Sequence, residues 1–123
     1  MAMNPVGWFE IYVQDMARAK AFYEAMLAVK LEELADTGME YWSFPQSKEG
    51  YGAGGALTRM EGVPSGGNST VVYFTCEDCA VEAGRVVAAG GKIVKEKFSI
   101  GRYGFVALGL DTEGNMFGLH SLK

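Results

Sequence analysis

Histidine is almost missing from this chain: there is one, His120, in 123 residues. A metal site built from several imidazoles is therefore impossible within one chain. Cysteine is scarce too. Two residues, Cys76 and Cys79, cannot make a disulfide framework, and they fit a reducing compartment. Basic residues are outnumbered, 11 against 15 acidic, for a formal charge of −4. With no basic run there is little to neutralise phosphates, which argues against nucleic acid or an acidic membrane surface as partner. No apolar stretch approaches the roughly 20 residues that span a bilayer. The start, Met1-Ala2-Met3-Asn4-Pro5, has neither the basic flank nor the apolar core of a signal peptide. The expectation is a cytoplasmic protein without a membrane segment. About half of the chain is apolar. That suffices for one domain with its own core, and the length is too short for two independent ones.

What is present is a strongly patterned chain. Residues 8–13, WFEIYV, predict a strand with Phe9, Ile11 and Val13 on one face and Trp8, Glu10 and Tyr12 on the other. Asp15 can cap a helix whose apolar positions, Met16, Ala19, Phe22, Tyr23, Met26 and Leu27, recur at helical spacing up to about Ala28. Short strands follow at 30–35, 39–45 and 52–58, the first two joined by an Asp36-Thr37-Gly38 turn. Residues 59–68, rich in Gly, Pro, Ser and Asn, read as a linker. Then the pattern restarts. A strand at 70–76 leads to a helix capped by Asp78, with Cys79, Ala83, Val86 and Val87 on its buried face and Gly90-Gly91 as its stop. Strands at 92–97, 103–109 and 115–120 complete the second run. Asp111-Thr112-Glu113-Gly114-Asn115 is the turn between the last two.

A shift of 63 residues (78 − 15) superposes the two helix caps and pairs Ala17 with Ala80, Ala25 with Ala88, Glu33 with Glu96 and Gly38 with Gly101. The order strand, helix, strand, strand, strand thus occurs twice, at 5–58 and 69–123. Neither half could bury its sheet face alone, so both should pack as a single domain over residues 1–123.

Three segments give this architecture a family resemblance: FEIYVQDMARAKAFYEAML at 9–27, Cys76-Glu77-Asp78 leading into a helix that ends AAGGKIV at 88–94, and DTEGNMFGLH at 111–120. Together they resemble the vicinal oxygen chelate superfamily, the group of glyoxalase I, bleomycin-resistance proteins and extradiol dioxygenases. The resemblance implies an α+β fold of tandem βαβββ units. These form a rolled mixed sheet around a cleft, with helices outside, usually in a homodimer.

In the metal-dependent members of that superfamily, a divalent ion in the cleft takes one His or Glu ligand from each of four strands. Placed by register, the corresponding positions here are Trp8, Gly55 (Ala56 with one residue of slippage), Val71 and Gly118. None of these side chains binds a transition metal. The resemblance therefore does not carry over glyoxalase-type isomerisation or ring-cleaving dioxygenation, which need the ion. It favours the branch that binds a small aromatic or apolar molecule without metal or other cofactor. An enzyme of the same superfamily, a lactoylglutathione-lyase-like lyase or isomerase or a dioxygenase, is the alternative. A third is an interaction module whose exposed aromatics hold another protein.

Strand alternation from those positions gives the expected cleft lining: Trp8, Glu10, Tyr12, Gly55, Leu57, Val71, Tyr73, Thr75, Met116, Gly118 and His120. Phe9, Ile11, Val13, Val72, Phe74, Phe117 and Leu119 should face the helices, while Tyr41, Trp42, Tyr103 and Phe105 are not assigned a face. Glu10 is the candidate catalytic group, a general base if desolvated, or else a solvated carboxylate at the cleft mouth. His120 is either catalytic or merely hydrogen-bonded. Trp8 and Tyr12 form either a stacking platform or ordinary core. Cys76-Glu77-Asp78-Cys79 has redox-motif spacing, but its flanks follow the repeat. The glycine-rich run at 50–55 lacks the following helix that a phosphate loop requires.

Overall fold

Helix α1 (Met16–Leu27) shows how directly the apolar spacing is obeyed. Met16, Ala19, Phe22, Tyr23 and Met26 are its buried residues, and Asp15 caps it by accepting from Arg18 N–H. The helix ends at Ala28 in the left-handed conformation (φ 55°), its N–H bonded to the Glu24 carbonyl oxygen. The computed structural model describes residues 4–35 and 37–123. Asp36 of the expected turn lies outside them.

Before α1 runs β1 (Trp8–Tyr12); after it come β2 (Glu32–Glu33), β3 (Glu40–Ser43) and β4 (Gly54–Arg59). They form one mixed sheet in the order β1-β4-β3-β2, with β1 parallel to β4. The second half repeats this plan with β5 (Val72–Thr75), α2 (Cys79–Ala83), β6 (Lys92–Ser99), β7 (Phe105–Leu110) and β8 (Met116–Ser121), in the order β5-β8-β7-β6. The expected α+β class and repeated order are thus found, with strands mostly shorter than the patterning suggests. Tyr103 is not on a strand. It closes a 3-10 turn, Gly101–Tyr103, and Gly104 follows at φ 109°. A Cβ on Gly104 would overlap the Ser121 carbonyl oxygen, so only glycine fits.

The helix-facing residues assemble as the alternation requires, except Val72, which lines a cavity beside Glu10 and Tyr12. Ile11, Val13, Phe117 and Leu119 join Phe22, Tyr23 and Met26 of α1 in one core, with Phe9 and Phe74 packed against it. Tyr23 lies at the centre, its ring within 6.1 Å of those of Phe44, Phe74 and Phe117. Each such buried side chain contributes about 1.5–3 kcal/mol. Val87, expected on the buried face, is instead 67% exposed, while Val86 is fully buried. Beyond Ala83 the helix tightens into i→i+3 bonds, Arg85 N–H to Glu82 and Val86 N–H to Ala83. At about three residues per turn Val86 stays beneath Ala83 and Val87 rotates outward.

The Asp111–Asn115 turn is more than a turn. Asp111 accepts from the Glu113 and Asn115 N–H groups, and from the Tyr23 hydroxyl at 2.6 Å. The Glu113 carboxylate accepts from the N–H groups of Gln14 and Asp15 and from the Arg18 guanidinium. Asn115 Nδ2 donates to the Tyr12 carbonyl oxygen. The second half is thereby bolted to the β1–α1 junction of the first.

Candidate functional site

Register decides which side chains share the face opposite α1. On the first sheet, Trp8 lies beside Gly54, Glu10 beside Ala56 and Tyr12 beside Thr58, while across β4 Ser43 pairs with Ala56 and Tyr41 with Thr58. Small residues on β4 form the floor, and larger ones on β1 and β3 form the walls. Gly55 and Leu57, expected in this lining, are on the opposite side. Leu57 is part of the core, and a Cβ on Gly55 would overlap the Phe9 ring. The cause is a change of phase in the repeat. Val13 N–H bonds the Thr58 carbonyl oxygen just as Cys76 N–H bonds that of His120. The shift is 63 on the first strands (76 − 13) but 62 on the last (120 − 58), so Ala56, not Gly55, is the counterpart of Gly118.

On the second sheet, Tyr73 pairs with Gly118 and Thr75 with His120, as the alternation predicts, and Met116 shares their face. Val106, Leu108 and Leu110 of β7 share it as well. Val71 lies just outside β5 and is half-buried. Tyr41 belongs to the cleft face, and Trp42, paired with Leu57, to the helix face. There the Lys20 ammonium sits 4.5 Å from the Trp42 ring centre. Phe105, paired with Ser121, is also on the helix side.

Glu10 is the centre of the first wall. Its carboxylate accepts from the Trp8 indole Nε1–H at 3.3 Å and from the Tyr12 hydroxyl at 3.1 Å. Among the described residues it makes no ion pair. The hydrogen bond to Glu10 and partial burial hold the Tyr12 phenol above its ordinary pKa. Burial, and then the Glu10 charge, do the same for Tyr41. Trp8 is 40% exposed, so its ring is available from solvent. A cavity of about 200 Å³ brings Glu10 and Tyr12 together with Met116, under a rim made by Pro64, Gly66 and Asn68. Thr75 and His120 open instead onto a wider, more apolar recess of about 680 Å³ with Tyr51 and Leu122. His120 Nε2 lies 2.7 Å from the Tyr103 carbonyl oxygen, which fixes the proton on that nitrogen. The expected lining is therefore split between two recesses, with Tyr73 standing 50% exposed on the second sheet.

The residues at the metal-ligand positions do not fit a divalent ion. With the register corrected they are Trp8, Ala56, Val71 and Gly118, which offer no carboxylate, imidazole or thiolate. The space above Gly118 is also filled, because a Cβ there would overlap the Tyr73 ring. Among the described residues no three His, Cys, Asp or Glu side chains gather as a metal site. Cys76 and Cys79 are reduced and buried. Burial, then the neighbouring Glu82 carboxylate, push the Cys76 thiol up to about 12, so it is protonated at neutral pH.

Alternation along β1, β5 and β8 found much of this face, but it missed Tyr41, Thr58, Ser43 and Leu108. The alternating EYWS of β3 was the available signal for Tyr41 and Ser43. Among the described residues no helix is long and apolar enough to cross a membrane.

Comparison with known proteins agrees with this architecture. The Putative glyoxylase CFP32 of Mycobacterium tuberculosis is 27% identical over 110 residues, covering 89% of this chain and 41% of its own length. The chain thus spans about two fifths of that curated relative. A glyoxalase/bleomycin resistance protein/dioxygenase family enzyme from Burkholderia phytofirmans PsJN superposes with a TM-score of 0.74 at 16% identity, covering 95% of this chain and 98% of that one. TnmS3, an antibiotic binding protein from Streptomyces sp. CB03234, superposes at 0.70 with 21% identity, covering 100% and 99%. At these identities the superpositions show a shared fold. The family profile itself matches residues 6–119, and the chain belongs to the Glyoxalase/Bleomycin resistance protein/Dioxygenase superfamily.

Proposed function

We propose that the protein binds a small aromatic or apolar molecule in its cleft without a metal, as a homodimer in the cytoplasm. The observation that carries this reading is the Trp8–Glu10–Tyr12 cluster, set over a floor of small β4 residues where metal-dependent relatives place metal ligands. A flat ligand stacks on the Trp8 face, and Glu10 and Tyr12 supply one polar anchor. The antibiotic binding protein TnmS3 has the same fold, so the fold accommodates a binding role of this kind.

The test uses Trp8 as reporter in a Trp42→Phe background, with a panel of flat aromatic compounds titrated while indole emission and melting temperature are followed. Saturable quenching with a raised melting temperature is the expected result, with the ligand-induced rise in melting temperature lost on Trp8→Ala and retained on Glu10→Gln. Turnover that disappears on Glu10→Gln while binding persists would favour a metal-free enzyme using Glu10 and Tyr12. Elemental mass spectrometry of untagged protein purified without chelator should find transition metals at background. Near one Ni, Zn, Fe or Mn per chain would overturn the reading.

A further inference from the structure

The two halves of the fold close their strand–helix junctions differently. At the first junction, Glu113 binds the Gln14 and Asp15 N–H groups, and Tyr23 reaches across to Asp111. Sixty-three residues on, at Glu77 and Asp78, no side chain among the described residues takes the equivalent N–H groups. The β3–β4 connection stands where the Asp111–Asn115 turn would be, and it has no Asp-x-Glu-Gly-Asn sequence. Its Tyr51 is 87% exposed. Counting back 63 from Glu82 gives Ala19, fully buried in α1, and from Val86 gives Tyr23. The second junction therefore lacks its bolt and carries a carboxylate where the first carries a methyl group.

A cavity of about 230 Å³ remains there, between the end of α1, the β3–β4 connection and α2. Phe9, Phe44 and Phe74 form its aromatic side, with ring centres 5.5–6.2 Å apart. Leu27 and Ala53 close the apolar wall, and Glu82 completes the lining. Glu82 Oε1 is buried without a hydrogen-bond partner, and no lysine or arginine among the described residues pairs with it. A buried, unpaired carboxylate oxygen is costly unless a donor or cation reaches it. The neighbouring Cys76 thiol also faces Glu82, but as a weak, neutral donor it leaves the carboxylate charge without a counter-ion.

We propose that this cavity is a second binding site, separate from the Trp8–Glu10–Tyr12 cluster, for a small organic ammonium ion with a short apolar or aromatic body, its charge held by Glu82. An apolar cavity of roughly 150 Å³ holds benzene, so the observed volume accommodates one ring and a two-carbon ammonium arm. The phenylalanine faces add cation–π attraction to the ion pair. The site stands apart from Trp8 and Glu10, so it holds or fails independently of the cleft reading.

The probe is 2-phenylethylammonium, with 2-phenylethanol as the uncharged control of similar shape, measured by calorimetry and by backbone amide NMR on the full chain. The expected result is saturable binding, one per chain, at least tenfold tighter for the ammonium. Amide shifts should centre on Ala53, Phe74 and Glu82, with Trp8 emission unchanged. Glu82→Gln should reduce ammonium affinity to that of the alcohol, and Ala53→Leu should block both. Ala53→Leu keeps the idea testable if the Glu82 variant fails to fold. Absence of ammonium binding at millimolar concentration, equal affinity for the alcohol, an unaffected Glu82→Gln variant, or shifts centred on Glu10 and Tyr12 would each overturn the proposal.

Discussion

Replacing Glu113 by glutamine tests the bolt between the two halves. The side chain is inaccessible to solvent. Burial alone would raise its carboxyl. The hydrogen bonds from Arg18 and from the Asp15 and Gln14 N–H groups outweigh that effect and hold it at about 2, against an ordinary 4.5. At 1.36 kcal/mol per tenfold, this fall corresponds to about 3 kcal/mol in favour of the ionised folded state. Arg18 is 53% exposed, so part of its attraction is screened and roughly 2 kcal/mol is the realistic share. Because the folded value is depressed, the contribution is fully present above pH 4.5. It is lost as the pH falls through the folded value near 2. Urea unfolding of wild type and Glu113→Gln at intervals from pH 7 downward measures it. The stability gap should be about 2 kcal/mol at pH 7 and shrink steadily below pH 4.5. A gap independent of pH, or one under about 0.5 kcal/mol at pH 7, would refute the assignment.

Three further outcomes follow from named contacts. Tyr23→Phe removes the 2.6 Å bond to Asp111 while three other donors to that carboxylate remain; denaturant unfolding should show a loss of about 1–2 kcal/mol, and an unchanged midpoint would contradict the clamp. Gly118→Ala should cost about 1–3 kcal/mol through overlap with the Tyr73 ring; in a double-mutant cycle the loss should vanish in a Tyr73→Ala background, and simple additivity would show that Tyr73 is not the obstacle. Cys76, raised from 9.0 to about 12, should react with iodoacetamide at pH 8 about a thousandfold more slowly in native than in unfolded protein; a ratio below tenfold would show that the thiol is accessible and ionised.

How much of this was legible beforehand depends on where side chains alternate cleanly. The apolar phase of α1 and the alternation in β1, β5 and β8 identify their buried faces because each has one apolar and one mixed side. The β4 segment GGALTR defeats the same method. Its glycines carry no facing signal, and Ala56, Leu57 and Thr58 are all fully buried on both sides of the sheet. Only the repeat could place it, and the one-residue difference between halves reversed every side chain on that strand. Val87 failed for a backbone reason, the tightening after Ala83. The reach of Glu113 to Gln14 and Asp15 spans nearly the whole chain. Local pattern cannot foresee such a contact, although the acidic residue in a glycine-ended turn was visible.

The same backbone plan occurs twice, but the side chains on it are not interchangeable, and the difference bears directly on chemistry. Glu10 and Tyr73 occupy equivalent positions (73 − 10 = 63), above Ala56 and Gly118. In the first half the position holds a carboxylate that accepts two hydrogen bonds; in the second it holds an aromatic ring lying over a glycine. A metal site at this place needs donors from both halves. Restoring one at Gly118 would require removing Tyr73 as well, since the ring occupies the space the new side chain would enter. The first half would still offer Trp8 and Ala56. Recovery of a metal centre therefore needs coordinated changes on at least three strands. Superfamily membership alone therefore does not supply the donors that a metal at this place would need.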